Sequence, residues 1–367
     1  MTLQQGVDDI YRARLGEPVM TATTLRTLIK AVRPGRPFIA VRRHRWRFMG
    51  IALATSAFIA TASAQPQQTY PNRPIRLIVP FGAGAGTDIG ARIVSTKLAE
   101  AFGQQVVVDN RAGASGIIGA ELAAKASPDG YTLMTATISH SVNPSLRKNL
   151  PYDIVKDFSP ISLLMEYPFL LDVRPSLPVK SVADLVALAK AKPGQINYAS
   201  NGVGGGAYLC AELFKSLTGI NLEHVPFKST AAAITSTIGG EIDVGFYSAS
   251  ATLSHVKAGR LRALAMTGRK RSASFPDLPT VAEIIGVPSY EVYGWTGVLA
   301  PVGTPKSIVA KLHGEFARIV QLPDVKERLA VVDFEPVGNT PAEFAAFIRK
   351  ETLRWAKLVK DAGGKVD

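Results

Sequence analysis

From residue 72 to residue 290, short apolar runs alternate with stretches whose apolar side chains recur every three or four positions. That is the pattern of strands alternating with helices. "IRLIVPF" (75–81) predicts a buried strand. The helix after it places Ile89, Ile93, Val94, Leu98 and Phe102 on one face, with Thr87 as its expected cap. "QQVVVD" (104–109) and "YTLMTAT" (131–137) predict the next strands, separated by the loop "NRAGASG" (110–116), a helix through Leu122 and an Asp129-Gly130 turn.

After Pro168 the pattern restarts. Ser181 and Asp184 form an S-x-x-D cap before "VADLVALAKA", and Pro193-Gly194 ends that helix. "INYAS" (196–200), the loop "NGVGGG" (201–206) and the helical "AYLCAELFKSL" follow, with further strands expected at "LEHVPF", "IDVGFYS" and "LRALAMT". The C-terminal part reads as helical. Thr304-Pro305 and Thr340-Pro341 each set a capping hydroxyl before a proline, and Glu343 completes a capping box. Because 172–291 already makes an α/β unit, the last helices are expected to fold back on the first. The expected organisation is a discontinuous domain 1 (65–171 plus 292–367), an inserted domain 2 (172–291) and a hinge at crossovers near 168–173 and 290–296.

The first 64 residues follow a different logic. "VRRHRWR" (41–47) precedes the apolar "FMGIALATSAFIATASA" (48–64), which ends in Ala62-Ser63-Ala64. A cationic segment, an apolar segment and an A-x-A end predict a secretory signal cleaved after Ala64, and hence a periplasmic protein. Residues 1–40 are an awkward extension of such a signal, and an upstream start codon would account for them. The formal net charge of +13 is concentrated here: ten Arg/Lys against three Asp/Glu leave only +6 for residues 65–367. No basic stripe interleaved with aromatics remains there, so nucleic acid is not an expected partner. The single cysteine, Cys210, excludes an intrachain disulfide and reads as a buried structural thiol. No His, Cys, Asp or Glu spacing suggests a metal.

Strand, glycine-rich loop and helix occur once in each half, at 75–100 and 196–218. Ligands of open α/β sheets sit beyond the carboxyl ends of strands, so two such ends facing across a hinge make a cleft. A dinucleotide is a poor fit, because Ile89 or Thr87 stands where the third glycine of G-x-G-x-x-G belongs. "GASGI" (113–117) lacks the last glycine of a nucleophile elbow, and His140, His224, His255 and His313 are scattered, so no catalytic residue emerges. An anion cradle asks for less. The first amides of a helix lack intrahelical acceptors, and the helix dipole favours negative charge there by about 0.3–1 kcal/mol, up to ~2 when partly buried. Two or three such ends, with hydroxyls from Thr87, Thr135, Ser139 or Ser200, supply much of the ~8 kcal/mol that a micromolar ligand requires. Asp88 reads as a first-turn acid that stabilises its own helix. Were it to face the cleft it would attract an ammonium group, and an amino-dicarboxylate would fit better than a plain one.

"YPNRPIRLIVPFGAGAGTDIGAR", "VVVDNRAGASGIIGAELAAKASPDGYTL", "LPYDIVKDFSPISLL", "HVPFKSTAAAITSTIGGEID" and "PDLPTVAE...YGWTGVLAPVGTP" resemble, in order and across 70–367, the Bug-type substrate-binding proteins of tripartite tricarboxylate transporters. The resemblance implies an α/β, two-domain periplasmic-binding-protein fold of the Venus-flytrap type II kind, with a hinge between lobes. It implies capture of a dicarboxylate, tricarboxylate or acidic amino acid for the membrane components of such a transporter. It implies neither cofactor nor catalysis, and a monomer is expected. Carried over by position, Gly82, Ala83, Gly84, Ala85, Gly86, Thr87 and Asp88 cradle one carboxylate, and Thr135, Thr137, Ser139 and His140 line the same lobe. Ser200, Asn201, Gly202, Gly204, Gly205, Gly206, Lys228 and Ser229 complete the site from the second lobe, with Asp243 at its rim. The chain departs from the family pattern at Ala83 and Ala85, where Pro and Gly are usual, at Tyr208 for a frequent His, at Ser229 for Gly and at Ala232 for Pro; Tyr208 and Ser229 bear on pocket size and polarity. The other readings open at this point are a secreted α/β enzyme acting on a small organic acid and a ligand sensor of the same fold.

Overall fold

The computed structural model describes residues 70–361, apart from Ala273. The signal-like stretch, residues 1–40 and the expected cleavage after Ala64 lie outside the described residues. No helix among the described residues is long and apolar enough to cross a membrane.

The first half begins with β1 (Ile75–Val79), α1 (Gly86–Phe102), β2 (Val106–Asn110), a 3-10 turn (Ala114–Gly116), α2 (Ile117–Ala124), β3 (Thr132–Ala136) and α3 (Ile138–Leu146). β1 lies between β2 and β3, parallel to both. Its Ile75, Leu77, Ile78 and Val79 are all fully buried, as expected of a parallel strand covered on both faces. On α1, Ile93, Val94 and Leu98 enter the core, while Ile89 and Phe102 pack at its margin.

The second half contains α4 (Val182–Ala191), β5 (Asn197–Ser200), α5 (Gly206–Thr218), β6 (Glu223–Pro226), α6 (Thr230–Gly239), β7 (Val244–Ser248), α7 (Ala249–Lys257), β8 (Arg262–Met266) and α8 (Val281–Ile285). Here β5 lies parallel between β6 and β7. Cys210 sits fully buried on α5 as a free thiol.

β4 (Phe158–Val173) joins the two sheet halves. It pairs antiparallel with β9 (Tyr293–Pro301) from Phe158 to Pro168, then with β7 and β8 from Phe169 and Leu170 onward. The change of partner falls between Pro168 and Phe169, so one sheet order, β2-β1-β3-β9-β4-β7-β5-β6, runs through both halves. The sequence pattern did not single out β4, because "FSPISLLMEYPFLLDV" has neither helical nor alternating periodicity and contains two prolines. It is a strand buried on both faces for most of its length.

The chain closes with α9 (Lys306–Ile319), α10 (Pro323–Val331), the short β10 (Glu335–Pro336) beside β4, and α11 (Pro341–Asp361). α9 packs on β4 and α1, and α11 on α3 and β4.

Two expected caps are corrected. Thr304 turns its hydroxyl to the Pro301 carbonyl (2.8 Å), leaving Pro305 ahead of α9 with no side-chain cap. Thr87 lies inside α1, which starts two residues earlier than a Thr87 cap requires; the cap position is Ala85, whose methyl group offers no acceptor. The Ser181 cap is present (Asp184 N–H to Ser181 Oγ, 3.1 Å), as is the Thr340–Glu343 box.

Gly297 on β9 is a tight spot. A Cβ there would lie 2.1 Å from Cζ of Phe344, a fully buried ring on α11. Gly297→Ala is expected to destabilise the fold by about 1–3 kcal/mol, as overpacked cores do, with the loss read from the denaturant midpoint at constant slope.

Candidate ligand-binding site

Helix starts meet strand ends at the seam between the halves. A cleft of about 60 Å³ is lined by Gly86 and Thr87 of α1, Ile138 and Ser139 of α3, Gly206 and Ala207 of α5, Thr230 of α6, and Ser248 just before α7. Each of these belongs to a helix N-terminus, where amides lack intrahelical acceptors. The remaining wall is largely aromatic: Phe81, Tyr167, Phe169, Phe246 and Tyr247. No Asp, Glu, Lys, Arg or His lines this inner cleft. Outside it lies a larger cavity of about 480 Å³, sharing Phe81, Asn201 and Thr230 with it and bordered by Arg147 and Lys228.

The two rings on β4 explain two of the glycines. A Cβ on Gly86 would lie 3.0 Å from Tyr167 Cζ, and one on Gly206 would lie 2.5 Å from Phe169 Cζ. Tyr167 and Phe169 stand two residues apart on one face of the strand, 5.8 Å between centroids. One ring covers the start of α1 and the other the start of α5, so the strand shared by both halves orients both helix ends.

The expected site residues separate into groups. Ala85, Gly86, Thr87, Thr137, Ser139, Ser200, Asn201 and Gly206 line the inner cleft. Gly82, Gly202, Lys228 and Ser229 line the outer cavity. Ala83 and Gly84 are exposed and line neither, and the buried Gly204 and Gly205 line neither as well. Thr135 is buried within β3, away from both spaces.

Asp88 is turned away from the cleft. Its carboxylate accepts from Gly84 N–H (3.0 Å), Asn110 Nδ2 (2.9 Å) and Arg92 Nε (3.1 Å to each oxygen). Burial raises its pKa, but these donors outweigh burial and hold it below the usual carboxylate range. The Gly84 amide is therefore occupied by the protein itself, and Asp88 supplies no counter-charge for a ligand ammonium group. Both roles read from the sequence, Gly84 as a ligand donor and Asp88 as a cradle residue, give way to a turn that the chain satisfies internally.

Asp243 is also corrected. It precedes β7 at the end opposite to Ser248, about 16 Å away at the usual rise per residue. There it pairs with Arg174 Nε (2.7 Å) and accepts from Asn197 N–H (3.0 Å). It is an anchor at the far end of the strand, not a rim residue.

His140 lies behind the cleft. Its Nδ1 accepts from Thr137 N–H (3.0 Å), closing a capping box over the start of α3 and holding Thr137 and Ser139 in place. Ser200 is held similarly from behind: its Oγ accepts from Gly202 N–H (3.0 Å) and bonds His224 Nε2 (2.7 Å). Thr87 differs, because the residue lines the cleft while its buried Oγ1 has no hydrogen-bond partner.

The sequence reading missed the aromatic wall, Ala207, Thr230 and Ser248. Most of them sit at the carboxyl end of a strand or the first turn after it. Extending the strand-end rule from the glycine loops to "VPFKST" and "VGFYS" would have found several. Among the described residues, no group of three or more His, Cys, Asp or Glu is placed to hold a metal.

Two α/β halves sharing a crossing strand, with a cleft lined from both, define a solute-binding protein with the two-lobed fold of periplasmic binding proteins. Residues 90–363 match the family described as tripartite tricarboxylate transporter family receptor, and the chain belongs to that family. It is 38% identical over 320 residues to protein BugT of Bordetella pertussis, a match spanning 87% of this chain and 97% of BugT. The structure of periplasmic binding protein BugD matches with a TM-score of 0.78 at 34% identity, covering 81% of this chain and 100% of that one. R. palustris Rpa4515, solved with adipate, matches with a TM-score of 0.78 at 37% identity, covering 80% and 98%.

Burial pushes the His140 pKa down to about 4, so the ring is neutral in the folded protein at physiological pH. The unfolded chain binds its proton near pH 6.5, so this contribution to stability is present above pH 6.5 and lost as pH falls toward 4. His140→Gln keeps an N3 acceptor for the capping box and removes the titration. Its stability relative to the wild type is expected to rise as pH falls through that window, by on the order of 3 kcal/mol at the bottom. Denaturation at pH 7 and pH 4.5 measures this, and a pH-independent gap would contradict it.

Proposed function

We propose that the inner cleft captures a small carboxylate, a dicarboxylate, tricarboxylate or acidic amino acid, and holds it for the membrane components of a tripartite tricarboxylate transporter. The lobes are 65–171 plus 292–367 and 172–291, moving about the partner switch in β4. The protein works as a monomer in the periplasm after cleavage at Ala64, and captures its ligand without chemical turnover.

One observation carries this reading: helix N-termini from both halves converge on a buried space without a charged side chain. Their amides and dipoles favour an anion, each by about 0.3–1 kcal/mol and up to ~2 when partly buried. Hydroxyls of Thr87, Thr137, Ser139, Thr230 and Ser248 supply further donors. A ligand that touches both lobes stabilises the closed arrangement by its differential affinity, which couples capture to hinge motion. The adipate in Rpa4515 supports the choice of a carboxylate.

A thermal-shift panel of dicarboxylates, tricarboxylates and acidic amino acids tests the reading. A ligand at a hundred times its Kd adds about 2.7 kcal/mol, or several degrees in Tm; no shift across the panel would sink it. At residue level, Thr87→Val is expected to act in opposite directions on stability and binding. Removing the unpartnered buried hydroxyl stabilises the unliganded protein by about 1 kcal/mol, and losing a donor to the anion weakens binding by about tenfold. Calorimetric titration with a ligand found by the panel, beside unliganded melting, reads both signs.

A further inference from the structure

The loop after β2 has an unusual backbone. Gly113, Ala114, Ser115 and Gly116 all have positive φ, at 140°, 46°, 54° and 91°. For Ala114 and Ser115 this is the left-handed region that side chains disfavour, so the surroundings must hold it. Asn143 on α3 supplies one tie, donating from Nδ2 to the Ser115 carbonyl (3.3 Å) and to the Tyr152 hydroxyl (3.1 Å).

The other tie crosses the cleft. The Ser115 hydroxyl donates to the Val203 carbonyl at 2.7 Å, between residues 88 apart in sequence and on opposite sheet halves. The receiving loop is shaped for this approach. Val203 sits between Gly202 (φ 107°) and Gly204 (φ 85°). A Cβ on Gly202 would lie 3.0 Å from Ser115 Oγ, and one on Gly204 would lie 3.0 Å from Leu146 Cδ1 and 3.1 Å from Asn143 Oδ1. Ser115 and Val203 both border the outer cavity and not the inner cleft, so this contact ties the two halves together without lining the inner cleft.

We propose that Ser115 is a latch: its hydroxyl, presented by a left-handed loop, grips the Val203 carbonyl across the cleft mouth and sets how long a captured solute is held. This rests on the two-lobed capture reading. In an open protein water satisfies both groups, so the bond favours only the closed arrangement. Ser115 acts as a positioning residue, since it reaches the ligand only through closure.

The test compares the full chain with its Ser115→Ala, Ser115→Gly and Gly202→Ala variants. Spin labels at Glu100→Cys and Lys192→Cys, one on each lobe, report the interlobe distance with and without adipate; the native Cys210 is buried and stays unlabelled. Stopped-flow with adipate gives the association and dissociation rates. Ser115→Ala is expected to reduce the closed population relative to the open one and raise the dissociation rate by about twofold to tenfold. The association rate and the Tm of the unliganded protein stay near the wild-type values. Gly202→Ala, which wedges the same contact apart, is expected to open the cleft similarly. Ser115→Gly lacks the hydroxyl but favours the left-handed backbone, so if the hydroxyl is what holds the cleft it is expected to open as Ser115→Ala does. A Ser115→Gly protein that stays closed, or identical distance distributions for wild type and Ser115→Ala, overturns the latch. Should adipate fail to bind the wild type, its use as the ligand fails alone, and the unliganded distance distributions still decide the latch.

Discussion

The structure depends on unpaired main-chain amides at the starts of helices. An α-helix leaves its first amides without intrahelical acceptors, and a protein that buries several such ends in one place must answer them from elsewhere. Here the ends of α1 and α3 from one half, and of α5, α6 and α7 from the other, meet at a single space. Some donors nearby are answered internally: Asp88 takes the Gly84 amide, His140 takes that of Thr137, and Ser200 takes that of Gly202. The hydroxyl of Thr87, buried beside the cleft, is not answered.

β4 keeps this arrangement coherent. Had the halves been separate sheets, the relative aim of the α1 and α5 ends would depend on loops alone. Instead, Tyr167 and Phe169 on one strand cover Gly86 and Gly206, on either side of the place where the strand exchanges β9 for β7. A strand that changes partners there sets the aim of both helix ends from two residues that flank the switch.

Much of the fold was legible because its strands and helices repeat with simple periods. The run 75–81, the face of α1 and the caps at Ser181 and Thr340 all follow from local pattern. β4 was not legible for a physical reason: burial on both faces erases alternation, and prolines at positions 160 and 168 resemble breaks. At the site, the glycine loops pointed to the right region for a partly different cause. Gly86 and Gly206 are glycines because rings occupy the space of a Cβ, which only the three-dimensional crossing of β4 reveals. Gly84 was read as a ligand donor, yet its amide closes onto Asp88 four residues later, a local bond that the spacing did permit one to foresee. Asp243 failed because it precedes the amino end of β7, whereas the cleft lies beyond the carboxyl end, at Ser248.

A cleft built from dipoles and hydroxyls, without charged side chains, also constrains selectivity. Helix ends attract any carboxylate of suitable size, so they set affinity for the charge more than choice among acids. A fixed arginine fork would impose bidentate geometry on each carboxylate; backbone amides and rotatable hydroxyls do not. Discrimination must therefore come from the body of the ligand against Phe81, Tyr167, Phe169, Phe246 and Tyr247, whose rings bound the length and thickness of what fits. Relatives that share the helix ends would then differ in ligand through a few aromatic positions on β4 and β7, while the donors that define the site as an anion cradle stay the same.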